Sequence, residues 1–154
     1  MNESQHIPGF YVKELHTVLE SVVGKIGMRK TVELLKSFES NSSIDLEAKK
    51  RVKLIQDFII TNCITIFNLD EQQFYTSEIR EYREARMACF HVLHRYTDCS
   101  YAMIGELFGR KKRTVLYFCQ KCRELLSVPG FYRGFVDKYK QLDQCALEFI
   151  GKLN

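Results

Sequence analysis

The sequence predicts an all-helical fold. Three observations carry that expectation. Apolar residues recur at steps of three and four through most of the chain. Only eight glycines and two prolines occur in 154 residues. The polar clusters that interrupt the apolar spacing also have the composition of helix caps.

The elements follow in order. After the Pro8-Gly9 break, Val12, Leu15, Val18, Leu19, Val22, Val23 and Ile26 mark one face of a helix over 10–26, and Gly24 and Gly27 weaken its last turn. Val32, Leu35 and Phe38 give a second face over 31–38, so the pair reads as a helical hairpin. Ser40, Asn41, Ser42 and Ser43 form the polar small-residue cluster where a boundary belongs, near residue 43. A longer helix over 45–67 is expected from Val52, Ile55, Ile59, Cys63 and Ile66 on one face. Its isoleucines alone would allow a strand, and its length decides for helix. Asp70 followed by Gln73 resembles a capping box for a short turn ending near Tyr75. Residues 79–96 continue with Tyr82, Cys89, Val92, Leu93 and Tyr96 on one side, and the run Thr97-Asp98-Cys99-Ser100 stops that helix. Ser100 is the expected cap of the next one. That next helix, over 101–108, is only about two turns long. Gly109 then supplies a left-handed C-cap, and a further helix with Val115, Cys119, Cys122 and Leu126 on its core face begins within a few residues. Short helix, glycine turn and longer helix make a helix-turn-helix pattern. Pro129-Gly130 breaks the chain again, before a last amphipathic helix over 131–150 through Phe135, Tyr139, Leu142 and Ala146.

Composition narrows the function classes. With 45% apolar residues and a formal net charge of +4, the chain is too apolar and too weakly charged for a disordered protein. Its longest apolar-looking stretch, over 58–69, is interrupted by Thr61, Asn62, Thr65 and Asn68, so no membrane span is expected. The first ten residues lack the features of a secretory signal, which predicts a cytoplasmic protein whose six cysteines are reduced. The basic excess is local: Arg110, Lys111, Lys112, Arg113, Lys121 and Arg123 fall within 110–123 without a single acid. The four in a row sit at the first turn of the longer helix, where free backbone N–H groups and the helix dipole already favour an anion such as phosphate.

From about Val52 to Leu142 the chain resembles the C-terminal DNA-binding domain of the bacterial replication initiator DnaA, a helix-turn-helix variant related to the Trp repressor fold. The resemblance rests on FNLDEQQFYTSEIREY, REAR, YTDCSYAMIGELFG and RKKRTVLYFCQKCRELL, in the family's order and nearly its spacing. It implies that the helix starting near Arg113 enters the major groove, that Arg86 of REAR contacts the minor groove or backbone, and that Thr114 opens the recognition helix. Two departures stand out. After Phe108-Gly109 the chain has Arg110-Lys111-Lys112-Arg113-Thr114 where the initiators have a glycine-arginine-aspartate-histidine-threonine run, so the base-reading chemistry has changed. No G-x-x-x-x-G-K-[ST] loop occurs in the sequence, so the initiators' nucleotide-binding engine is missing.

The expectation is therefore a non-enzymatic protein that binds double-stranded DNA, regulatory or replication-associated, with residues 44–154 as the DNA-binding domain. Residues 1–43 form an interaction or dimerisation element. Arg86, Arg110, Lys111, Lys112, Arg113 and Lys121 would hold phosphates, and Arg113, Thr114 and Tyr117 would reach base edges. The competing class is a protein-interaction module that keeps the fold without binding DNA. Cys119-x-x-Cys122 has a zinc or redox spacing, but no second ligand pair matches it, and both thiols fall on the apolar helix face. No metal or cofactor is expected. His91 with Glu84 and Cys89 would suit a hydrolase only if a nucleophile elbow or a glycine-rich loop accompanied them, and neither is present.

Overall fold

The computed structural model describes residues 9–42 and 49–153, which form eight helices and, among the described residues, no strand. The fold is all-α. The chain divides into two compact units, the first ending at Phe38 and the second beginning at Glu39.

The first unit holds α1 (Gly9–Ile26) and most of α2 (Met28–Ser42). Here the structure corrects the expected hairpin. A single residue, Gly27 with φ +84°, separates the two helices, whereas side-by-side helices need a connection of at least about two residues. The Thr31 N–H and hydroxyl both return to the Gly27 carbonyl, which starts α2 directly at the joint. The two helices consequently meet at Gly27 and do not fold back along one another. Ser40, Asn41 and Ser42 of the expected break are helical, while Ser43 lies outside the described residues.

In the second unit, α3 (Lys49–Phe67) buries Val52, Ile55, Ile59, Cys63 and Phe67, so its core stripe ends on Phe67 instead of the expected Ile66. The start expected at residue 45 lies outside the described residues. Then come α4 (Glu71–Phe74), α5 (Arg80–Thr97), α6 (Tyr101–Phe108), α7 (Lys112–Ser127) and α8 (Arg133–Lys152). Two caps form as their residue types require: Asp70 accepts from the Gln73 N–H at 3.0 Å, and Ser100 accepts from the Met103 N–H at 3.2 Å. Asp98 closes α5 in the left-handed region, and Gly109, with φ +62°, closes α6.

The centre of this unit is α5, which packs against α3, α7 and α8 and also touches α4 and α6. Aromatic rings join four of these helices. Phe74 meets Phe108 edge-on at 5.8 Å, Phe108 meets Phe90 at 4.7 Å, and Phe90 lies over Phe118 at 5.7 Å. Such pairs add to plain burial, and this chain of rings fixes where α7 lies. Val115, Cys119 and Cys122 complete the buried side of α7.

Candidate nucleic-acid interface

The turn between α6 and α7 decides where the basic run points. Gly105 sits inside α6, yet a Cβ there would collide with the Arg110 carbonyl oxygen, so the turn's backbone rests directly on the helix. The Arg110 N–H donates to the Gly105 carbonyl at 2.8 Å, which holds that approach. Lys111 follows as the N-cap of α7 without a side-chain cap, so the Lys112 and Arg113 N–H groups of the first turn have no cap, while the Thr114 N–H donates to the Lys111 carbonyl at 2.9 Å.

The structure separates the eight predicted contact residues into three groups. Lys111, Lys112 and Arg113 are exposed and pair with no acid among the described residues. Tyr117, 48% exposed, stands one turn further along the outer face of α7, and the half-buried Thr114 lies between. Lys121 is next on that face. Its ammonium is 2.7 Å from Glu124 and 5.8 Å from the centre of the Tyr117 ring. An exposed pair of that kind costs little to exchange for a phosphate.

Arg110 is more committed. Its guanidinium donates to the Tyr75 carbonyl at 3.1 Å and to Glu78 Oε1 at 2.7 Å. The hydrogen bond from Arg110 is also the main reason the Glu78 carboxyl is held below the usual carboxylate range.

Arg86 is a correction. It was expected at the DNA surface, and its side chain is 0% exposed. The guanidinium donates to the Phe74 carbonyl at 2.7 Å and to the Ser77 carbonyl at 2.6 Å, with Glu78 at 3.6 Å. Burial, and then the neighbouring Arg110 charge, push its pKa below the ordinary guanidinium value. Two arginines thus tie down three carbonyls of the 74–77 loop, with Glu78 as their shared counter-ion. Arg86 braces the turn and has no face left for a phosphate. A hint lay in the sequence: Arg86 shares its stretch of helix with Ala85, Ala88 and Cys89, all of which are buried.

The remaining chemistry-bearing residues are absorbed into the core. Burial pushes both the Cys119 and Cys122 thiols up to about 12, which keeps them protonated at neutral pH. Among the described residues no cluster of three histidine, cysteine or acidic side chains is placed to hold a metal. His91 Nδ1 lies 2.6 Å from the Tyr139 hydroxyl, between α5 and α8. Burial, chiefly, lowers its pKa to about 4, so it is neutral at pH 7. Among the described residues no helix is long and apolar enough to cross a membrane.

Sequence reasoning passed over Gly105 and Glu78, and it also missed Arg80 and Arg83, which line one groove with Lys121 beside α7. An isolated glycine inside a helical pattern is the signal that pointed to Gly105. The role of Glu78 had no local signal, because both its partners are distant in sequence. No family model matches the chain, and no solved structure matches it.

Proposed function

We propose that this protein binds double-stranded DNA through the α6–α7 helix-turn-helix without catalysing a reaction. The DnaA-type resemblance of residues 52–142 suggests a regulatory or replication-associated role. The observation that carries the reading is the placement of Lys111, Lys112 and Arg113, exposed and without an acidic partner among the described residues, at the start of a helix that lacks a side-chain cap and whose outer face continues with Tyr117 and Lys121. Phosphates satisfy both the cations and the free N–H groups, and the outer face of α7 is then free to read base edges.

The cation inventory sets the expected salt response. With Arg86 buried and Arg110 held by Glu78, three to four phosphate contacts remain, so log K should fall against log salt with a slope of roughly −3. Replacing Lys111 and Lys112 together by Ala should weaken binding to all sequences about equally and flatten the slope by about 2. Anisotropy titrations of labelled duplex at several salt concentrations measure both. Salt-independent binding, or none at low salt, refutes the reading.

One observation favours an added protein contact in the first unit. Val12, Leu15, Val18, Leu34 and Leu35 are all at least 45% exposed on α1 and α2. Exposed apolar side chains on both helices suit an interaction surface. We assign it self-association, which would present two recognition helices to paired half-sites. A protein-interaction module without DNA binding remains the competing function, and the same salt titration separates the two.

A further inference from the structure

The most exposed large apolar side chain among the described residues is Phe131, at 88%. It sits on the turn between α7 and α8, where its N–H donates back to the Val128 carbonyl at 3.1 Å and leaves the ring outside. Tyr132, also exposed, follows it. A lone exposed phenylalanine is ordinary on a protein surface. This one has unusual neighbours.

Phe131 and Tyr132 border a groove of about 290 Å³ that Arg80, Arg133 and Lys138 also line. Two acids lie there as well, Glu81 and Glu84, and Glu84 is already paired with Arg80 at 2.8 Å. Arg133 and Lys138 have no acidic partner among the described residues, and Lys138 leans over the Phe67 ring at 5.3 Å. A second groove shares Arg80 and Glu84 with the first and adds Arg83 and Lys121. Lys121 in turn lies over Tyr117. The two grooves, joined at Arg80 and Glu84, therefore link Lys121 and Arg83 beside α7 to the exposed aromatic pair, with Glu84 and Glu124 already paired to Arg80 and Lys121. Aromatic faces set among cations are what single-stranded or unstacked nucleic acid requires, since each base has a face to stack and each linkage a phosphate to neutralise.

We infer that the α7–α8 turn is a second nucleic-acid contact, in which the Phe131 ring stacks on an unstacked base and Arg83, Arg133 and Lys138 hold the adjoining phosphates. This inference rests on the DNA-binding reading above. It assigns the site a ligand, a base freed from its stack, that the major-groove helix does not need.

The chain contains no tryptophan, so Phe131→Trp places one fluorescent indole at the site. The probes are a short mixed-sequence duplex, the same duplex with a central mismatch bubble, and the corresponding single strand. For the bubble duplex, Phe131→Ala should weaken binding roughly five- to a hundredfold, the range of one lost base stack. The Phe131→Trp emission should be quenched by the bubble duplex and the single strand more than by the intact duplex. Thermal melting of Phe131→Ala should match wild type, because the ring covers little of its own chain. Equal affinity of Phe131→Ala and wild type for the bubble duplex, or unchanged indole emission at saturation, overturns the inference. A clearly lowered melting temperature overturns it too, since the ring would then be packing within the protein. If the Lys111 and Lys112 double variant still weakens binding in either case, the DNA-binding reading stands and only the second contact falls. If wild type binds none of the probes, both fall.

Discussion

At the scale of single residues, the structure turns on which charges and thiols have partners. Arg86 satisfies the Phe74 and Ser77 carbonyls from inside the core, so Arg86→Met should cost about 3 kcal/mol of stability by stranding them. Urea unfolding measures that loss. DNA affinity of the folded fraction should hardly change, and an affinity loss larger than the stability loss explains would return Arg86 to the interface. The Cys119 and Cys122 side chains are fully buried on the core side of α7. Replacing both by Ala should cost about 1–3 kcal/mol for lost packing while leaving the outer face of α7 untouched. Thiol labelling at neutral pH should leave these two cysteines unmodified in the folded protein and reach them on denaturation, since burial raises both pKa values to about 12.

At the scale of elements, one junction shapes the candidate interface and a second fastens the bundle. The first is the contact of α6 with the turn into α7. Gly105→Ala would drive a methyl group into the Arg110 carbonyl, which is backbone and cannot swing away. We expect a loss of about 1–3 kcal/mol and weakened DNA binding beyond it, as the start of α7 shifts. Paired melting and binding curves test this, and a variant with wild-type values for both would show that the turn tolerates displacement. The second junction is His91 with Tyr139, which fastens α5 to α8. The folded pKa of His91 is depressed to about 4, below the ordinary value of 6.5, so the unfolded chain binds more protons between those two pH values. Stability therefore rises with pH across that window. It is fully present above about pH 6.5, and protonation removes up to about 3 kcal/mol by about pH 4. Urea midpoints at pH 7.5 and pH 5 should differ in wild type and converge in His91→Gln, and an unchanged difference in the variant would assign the effect to other groups.

At the scale of the whole molecule, the two units have opposite surfaces. The second presents a basic face built on a buried aromatic core, while the first leaves apolar side chains of α1 and α2 exposed. Deleting residues 1–43 should leave a folded domain that keeps its salt-dependent binding but loses self-association and any preference for paired sites. Sedimentation of the full chain and of the deletion decides this. A full-length monomer at micromolar concentration, with and without DNA, would rule out self-association through the first unit.

The local features were legible in the sequence because their partners are close by. Asp70 caps an N–H three residues on, Ser100 does the same, and Gly109 needs only its own left-handed backbone. The helix faces were readable for the same reason, apart from Phe67 in place of Ile66 at the end of α3, Phe118 in place of the half-buried Leu126 on α7, and the half-buried Tyr82 on α5. Availability of a charge is a different kind of property. Arg86 is occupied by carbonyls 9 and 12 positions away, and Arg110 by groups 32 and 35 positions away. No periodicity encodes those distances, so two of the six cations expected to hold phosphate, Arg86 and Arg110, were taken up only when the 74–78 loop folded against α5 and the turn. The joint at Gly27 makes the same point in reverse: the amphipathic spacing of α1 and α2 set their apolar faces, but a one-residue link denies those faces to each other. Local hydrogen bonding and spacing determined the helices and their caps. Long-range packing decided which cations and which apolar faces are left for a partner.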